Sequence, residues 1–158
     1  PKVPKTQVVV PTSEKEASVW RYATQTPADG WFKPGFDVST WSEAPGGFGT
    51  HGTPSSAVRT EWRTADIWLV REFDLPKGRW SDLQLRIHHD EDAEVYINGI
   101  LAAKLSGYST EYELVPIKAK AQLTLKPGKN LFAVHCHQTS GGQYIDLGLV
   151  DQEAHNNN

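Results

Sequence analysis

The sequence predicts an all-β domain, an antiparallel β-sandwich, and three observations carry that expectation. Asn98-Gly99 stands between two runs of alternating apolar residues, and an Asn-Gly pair tolerates the positive φ that both central positions of a type I′ turn require. Short apolar runs recur from Asp66 to Val150, separated by turn-forming clusters at Pro76-Lys77-Gly78, Pro127-Gly128-Lys129-Asn130 and Ser140-Gly141-Gly142. No stretch of useful length repeats apolar residues at the helical period.

Taken in order, residues 1–13 are rich in Pro, Lys and Thr and read as a linker or disordered N-terminus. Over 17–24, Val19 and Arg21 alternate with Trp20 and Tyr22, which predicts a first strand. From Pro27 to Pro54 repeated Pro and Gly exclude a helix or a long strand, while Trp31, Phe32, Phe36, Trp41 and Phe48 argue that this long loop is ordered. Strands are then expected over 66–74, 83–88, 93–98, 100–105, 112–115, 121–125, 131–137 and 144–150. A turn of helix fits 118–121, and another fits 36–41. The domain is expected to span 14–151, with a disordered tail over 152–158.

At 158 residues the chain fits one domain and can bury a core without a covalent staple. A net charge of −3 and the absence of a Lys/Arg run argue against nucleic acid as a partner, because such binding rests on clustered cations. Cys136 is the only cysteine, so no internal disulfide can form, and its apolar strand predicts an inert core residue. No apolar run approaches the ~20 residues that cross a bilayer, and no basic-then-apolar leader is present, so no membrane partner is expected. The chain starts at Pro1 and contains no methionine, which reads as a mature or excised segment of something longer.

Five segments carry a family resemblance that runs from Trp20 to Val150. They are Phe36-Asp37-Val38-Ser39-Thr40-Trp41, Ile67-Trp68-Leu69-Val70-Arg71-Glu72-Phe73-Asp74-Leu75-Pro76, Ala93-Glu94-Val95-Tyr96-Ile97-Asn98-Gly99, Ser106-Gly107-Tyr108, and Leu125-Lys126-Pro127-Gly128-Lys129-Asn130-Leu131-Phe132-Ala133-Val134. In this order they resemble the galactose-binding-like jelly roll, similar to the N-terminal sugar-binding domain of family 2 glycoside hydrolases and to related carbohydrate-binding modules. The chain departs from that pattern at Val70, where an arginine is common, and at Ser106, which replaces a glycine. The resemblance implies a non-catalytic carbohydrate-binding module of a secreted bacterial polysaccharide-degrading enzyme. The alternative it leaves open is a structural or docking domain that packs against a glycoside hydrolase catalytic domain and binds no sugar itself. Implied partners are an oligosaccharide or polysaccharide and the catalytic domain of the parent enzyme. The chain itself is expected to be a monomer, secreted, periplasmic or at the cell surface.

Sugar recognition needs flat apolar rings to stack on the C–H face of a pyranose and planar polar groups to meet its hydroxyls. Trp41 and Trp68 lie in the resembling segments and read as core. Trp31 and Trp62, beside the Gly/Pro-rich loop with polar neighbours, read either as an exposed platform or as packing, and Tyr108 is a third ring of the platform. Polar contacts are expected from Arg63, His88, Asp90, Asp92, Gln143 and Tyr144.

The His88-His89-Asp90-Glu91-Asp92 cluster admits three readings: hydrogen bonds within the sheet and a solvated turn, sugar contacts, or a structural calcium held by Asp90 and Asp92, since hard cations take several oxygens. No cofactor is required otherwise. His135 and His137, two apart in a strand, share a face. With His88 they would make a three-imidazole set of the kind zinc accepts. The stretch 138–144 is either an ordinary hairpin loop or one whose glycines admit a ligand. The acidic residues cluster in one turn instead of facing each other across a cleft, which argues against the paired carboxylates of a glycosidase.

Overall fold

In the computed structural model, residues 5–153 are described. The chain runs β1 (Thr6–Val10), β2 (Val19–Ala23), β3 (Ser42–Pro45), β4 (Phe48–Gly49), β5 (Thr60–Glu61), β6 (Asp66–Leu75), β7 (Leu83–Asp90), β8 (Asp92–Ile97), β9 (Ile100–Leu105), β10 (Glu113–Pro116), α1 (Ala119–Gln122), β11 (Gly128–His137) and β12 (Tyr144–Gln152). The strands form two six-stranded sheets. Sheet A has the order β10-β7-β12-β4-β5, with β1 also pairing β12; sheet B has the order β3-β2-β6-β11-β8-β9. Short β4 and β5 pair in parallel, and the other pairings are antiparallel.

Strand periodicity decides what fills the space between the sheets. In β11, Phe132, Val134 and Cys136 point inward and are fully buried, while His135 and His137 face out over sheet B. Phe132 stacks on Phe73 (centroids 4.0 Å apart) and on Trp20 (6.1 Å). Ile87, Ile145, Leu147 and Leu149 supply the facing layer from sheet A. Burial pushes the Cys136 thiol far above the usual range, so it stays a neutral core residue.

The Asn98-Gly99 turn forms as its chemistry predicts, with φ of 51° and 84°. Asn98 does more than turn the chain: its Oδ1 accepts the Leu131 N–H at 2.8 Å and its Nδ2 donates to the Thr124 carbonyl at 3.0 Å. The hairpin is thereby joined to the start of β11.

Three expectations about elements need correction. Thr6–Val10 is not linker but β1, because Val10 finds a buried place beside Leu149 on β12; residues 1–4 and 154–158 lie outside the described residues, and Gln152 still belongs to β12. Residues 121–125 do not form a strand: the helical turn α1 occupies 119–122 and buries Ala121. At 36–41 no helix forms, since the Asp37 carboxylate captures the Ser39 N–H (2.9 Å) in a local turn.

β4 approaches β12 without a side chain between them. A Cβ on Gly47 would lie 2.3 Å from the Tyr144 hydroxyl, and one on Gly49 would lie 2.3 Å from the Gln143 carbonyl. The Gln143 oxygen is backbone and cannot swing aside, so Gly49→Ala is expected to destabilise the fold by about 1–3 kcal/mol, the usual cost of overpacking. Urea unfolding measures this; an unchanged midpoint would mean that β4 can be displaced freely.

Candidate functional site

Antiparallel register collects one set of strand ends. Asp90 at the end of β7 pairs with Tyr144 at the start of β12, and Tyr144 pairs with Gly49. In sheet B, His137 ends β11 between Asp66 of β6 and Asp92 of β8. The loops 50–64, 90–92, 106–109 and 138–143 therefore meet at one end of the sandwich.

An open groove of about 610 Å³ lies there, lined by Thr50, His51, Gly52, Thr53, Pro54, Arg63, Gly141, Gly142 and Gln143. Its two walls are joined by hydrogen bonds. The Thr50 N–H donates to the Gln143 carbonyl (2.9 Å), the Gln143 N–H donates to Thr53 Oγ1 (3.2 Å), and Gln143 Nε2 donates to the Thr64 carbonyl (2.9 Å). Glu91 ties the far side of the 138–143 loop by accepting from Thr139 Oγ1 (2.7 Å) and the Ser140 N–H (3.2 Å). Arg63 stands exposed at the rim, paired with Glu61.

Asp90 lies behind this wall. It is 9% exposed, and among the described residues its carboxylate receives no hydrogen bond. A Cβ on Gly142 would stand 3.0 Å from Thr53 Oγ1 and 3.2 Å from Asp90 Oδ2, so only the bare glycine backbone separates the carboxylate from the groove. Burial, with Glu91 adding its charge, pushes the Asp90 carboxyl up to about 6.

The predicted residues divide. Arg63 and Gln143 line the groove, and Asp90 adjoins it. Asp92 is exposed at the same end, with Oδ1 accepting the Gly107 N–H at 2.6 Å. Tyr108, 67% exposed, is the remaining ring on that end.

Trp62 is not a platform. It is 3% exposed within the core, with Nε1 donating to Thr64 Oγ1 at 3.0 Å, because the residue after β5 turns inward while its polar neighbours Glu61 and Arg63 face out. Trp31 is half-buried against Tyr96 and Phe32 (centroids 5.8 and 5.7 Å apart) on the outer face of sheet B, and it lines no part of the groove. Trp41 packs on Phe36 (6.2 Å), and Trp68 is buried beneath His135 on that outer face (4.7 Å, 4° between planes), not between the sheets.

His88 and Tyr144 also leave the surface. Both are fully buried, on the outer face of sheet A beneath the segments around Ser13 and Ala57. His88 Nε2 lies 3.1 Å from the Ser109 carbonyl, and burial holds the imidazole below its ordinary value. The sandwich core separates His88 from His135 and His137, so the three imidazoles do not converge. The outer pair instead meets Asp66, whose Oδ1 accepts from His135 Nε2 and His137 Nδ1 at 2.8 Å each. Burial alone would raise the Asp66 carboxyl, but these two hydrogen bonds outweigh it and lower it. Among the described residues no group of three or more His, Cys, Asp or Glu is arranged to hold a metal ion.

One polar network escaped the sequence reading. Asp146, 2% exposed, accepts at Oδ2 from the Tyr112 hydroxyl (2.6 Å) and the Ser13 N–H (2.8 Å), and the Tyr144 and Tyr112 hydroxyls are 2.6 Å apart. Burial pushes the Asp146 carboxyl up to about 6 and both phenols above their usual range. Its one signal was a carboxylate inside the apolar run 144–150.

No protein-family model and no curated protein matches the chain. Solved structures do. They include a β-glycosidase from Bacteroides vulgatus (17% identity, TM-score 0.55, covering 92% of this chain and 20% of that one). A glycosyl hydrolase family 2 member from Bacteroides cellulosilyticus matches at 15% identity and TM-score 0.59, over 90% of this chain and 21% of its own. A β-glucuronidase from an uncultured Clostridium sp. matches at 13% identity and TM-score 0.55, over 96% and 30%. The chain thus spans about a fifth of the length of the first two, and what it shares with them is a fold: the β-sandwich found in family 2 glycoside hydrolases.

Two outcomes follow for stability. Asp90 and Asp146 hold protons in the fold that the unfolded chain releases between about pH 4 and 6, so both make stability fall as pH rises through that window. Asp90→Asn removes one such charge and is expected to raise Tm by about 2–6 °C near pH 7.5 and hardly at all near pH 4; an equal shift at both pH values would mean that Asp90 titrates as an exposed carboxylate. Trp62→Ala is expected to cost about 3–5 kcal/mol in urea unfolding, as a core truncation does. A near-neutral result would return Trp62 to the surface.

Proposed function

We propose that this chain is a non-catalytic, carbohydrate-binding accessory domain of a secreted bacterial glycoside hydrolase, with its ligand in the loop-end groove. The observation that carries the reading is the groove itself, formed where a glycine-bearing hairpin loop meets the long Gly/Pro loop, on a sandwich that recurs in glycoside hydrolases. Its size is in the range of small-ligand sites. Its chemistry suits a sugar: a polar wall of Thr50 and Thr53, whose hydroxyls lie 3.1 Å apart, the Arg63 guanidinium as donor, and backbone brought near by Gly141 and Gly142. The much greater length of the matched chains supports a catalytic domain of the parent enzyme as the covalent neighbour.

No Trp, Tyr or Phe lines this groove, so affinity rests chiefly on hydrogen bonds of about 0.5–1.5 kcal/mol net each. A dissociation constant in the range of about 0.1–10 mM is expected.

The second reading, a domain that packs on its catalytic neighbour and binds no sugar, is favoured by one fact: Trp62 faces inward and Trp31 is packed, so the rings expected to stack on a ligand serve the fold. The exposed large apolar residues Val8, Val19, Ile100, Tyr108 and Leu123 come from five different segments of the chain, and single exposed apolar residues do not by themselves mark a docking patch.

A glycan array probed with the whole chain, with and without EDTA, separates the two. Selective capture that survives EDTA and weakens about threefold to tenfold in Arg63→Ala is the expected result; silence across a broad array would favour the packing role.

A further inference from the structure

We propose that Asp90 is the charge selector of the groove: it accepts hydrogen bonds from the hydroxyls of an uncharged sugar residue reaching past Gly142, and it excludes uronates. This rests on the reading of the groove as a sugar site and adds what that site discriminates.

The argument begins with how the carboxylates near this end are used. Glu91 accepts from Thr139 and Ser140, Asp92 accepts from Gly107, and Asp66 accepts from His135 and His137. Each has donors from within the chain. Asp90 has none among the described residues, although it is nine-tenths buried, at 9% exposure. Its oxygens are not among the fully enclosed side-chain atoms that lack a partner, so they are reached from outside the chain, where a ligand hydroxyl can take the place of water as donor.

The direction of that partner is given by Gly142. Its missing Cβ would stand between Thr53 Oγ1 and Asp90 Oδ2, 3.0 and 3.2 Å from them, and both Gly142 and Thr53 line the groove. A ligand hydroxyl resting on the Gly142 backbone meets the carboxylate as acceptor, beside a Thr53 hydroxyl that is itself held between the Gln143 carbonyl and N–H.

Charge then decides between sugars. An ionised carboxylate accepts and cannot donate, so it matches hydroxyl donors and repels a second carboxylate, more strongly where water is scarce. Glu91 follows it directly in the chain and adds negative charge. The one arginine of the groove does not reverse this, because Arg63 is already paired with Glu61 at the exposed rim.

The test is direct binding by NMR titration of the whole chain with two probes, lactose and a glucuronate-terminated disaccharide, for the unaltered chain, Asp90→Asn and Gly142→Ala. The expected result is binding of lactose with the uronate at least about tenfold weaker, a difference that Asp90→Asn narrows to about threefold or less because the repulsion is gone. Gly142→Ala, whose methyl group fills the passage to Asp90, is expected to weaken lactose at least about fivefold while the far-UV circular dichroism stays unchanged. Uronate bound as tightly as lactose, or a preference that Asp90→Asn leaves intact, would overturn the selector role and leave the sugar site standing. Binding of neither probe, nor of any neutral glycan on the array, would remove the sugar site and the selector together.

Discussion

The loop end depends on one close approach, that of the Gly47–Gly49 backbone to Tyr144. With no side chain in the way, β4 lies directly against the start of β12, and the parallel partner β5 follows it in register. That placement carries Thr50 and Thr53 to hydrogen bonds with Gln143 and leaves Trp62 facing the core. Any larger residue at these glycines would lift the long loop off the sheet, and the groove between the two loops would lose one of its walls. A steric constraint in the middle of a strand thus sets the geometry of a surface site.

The second organising feature is electrostatic. The outer face of sheet A is polar yet covered, with His88, Tyr112, Tyr144 and Asp146 packed beneath the chain around Ser13 and Ala57. Burying a carboxylate is tolerated when it is supplied with donors, and Asp146 receives two at Oδ2, while its Oδ1 is enclosed without a partner among the described residues. Asp90, a few residues along the same face, receives none. Of these two carboxylates on paired strands, Asp146 is enclosed and takes its donors from within the chain, whereas the Asp90 oxygens stay open to what lies outside it, and that difference directs attention from the structural network to the groove.

The histidines illustrate how a sandwich partitions chemistry. Alternation along β11 places His135 and His137 together, where Asp66 on β6 meets both. His88 is close to neither, since β7 belongs to the other sheet and the apolar layers of both sheets intervene. Proximity of such residues in a β-sandwich follows from which sheet and which face, and both are properties of the strand order.

The sequence by itself determined the local features: the class of fold, the Asn98-Gly99 hairpin, the inward face of β11 and the pairing of His135 with His137. Each follows from turn chemistry or from a period of two, which act over a few neighbouring residues. The burial of Cys136, on the apolar face of its strand, was legible for the same reason. What only the tertiary structure decided was contact between distant segments. Trp62, set among charged neighbours, could be read either as a platform or as packing, and its inward orientation was decided by β5 pairing beside β4 far from any local pattern. The strand at Thr6–Val10 was hidden in a polar, Pro-rich context because its partner lies at the opposite end of the chain, on β12. Of the groove, Arg63 and Gln143 were legible as polar residues in glycine-rich loops. That they share a wall, and that Asp90 lies unpartnered behind Gly142, depends on register between strands, which residue type and spacing do not encode.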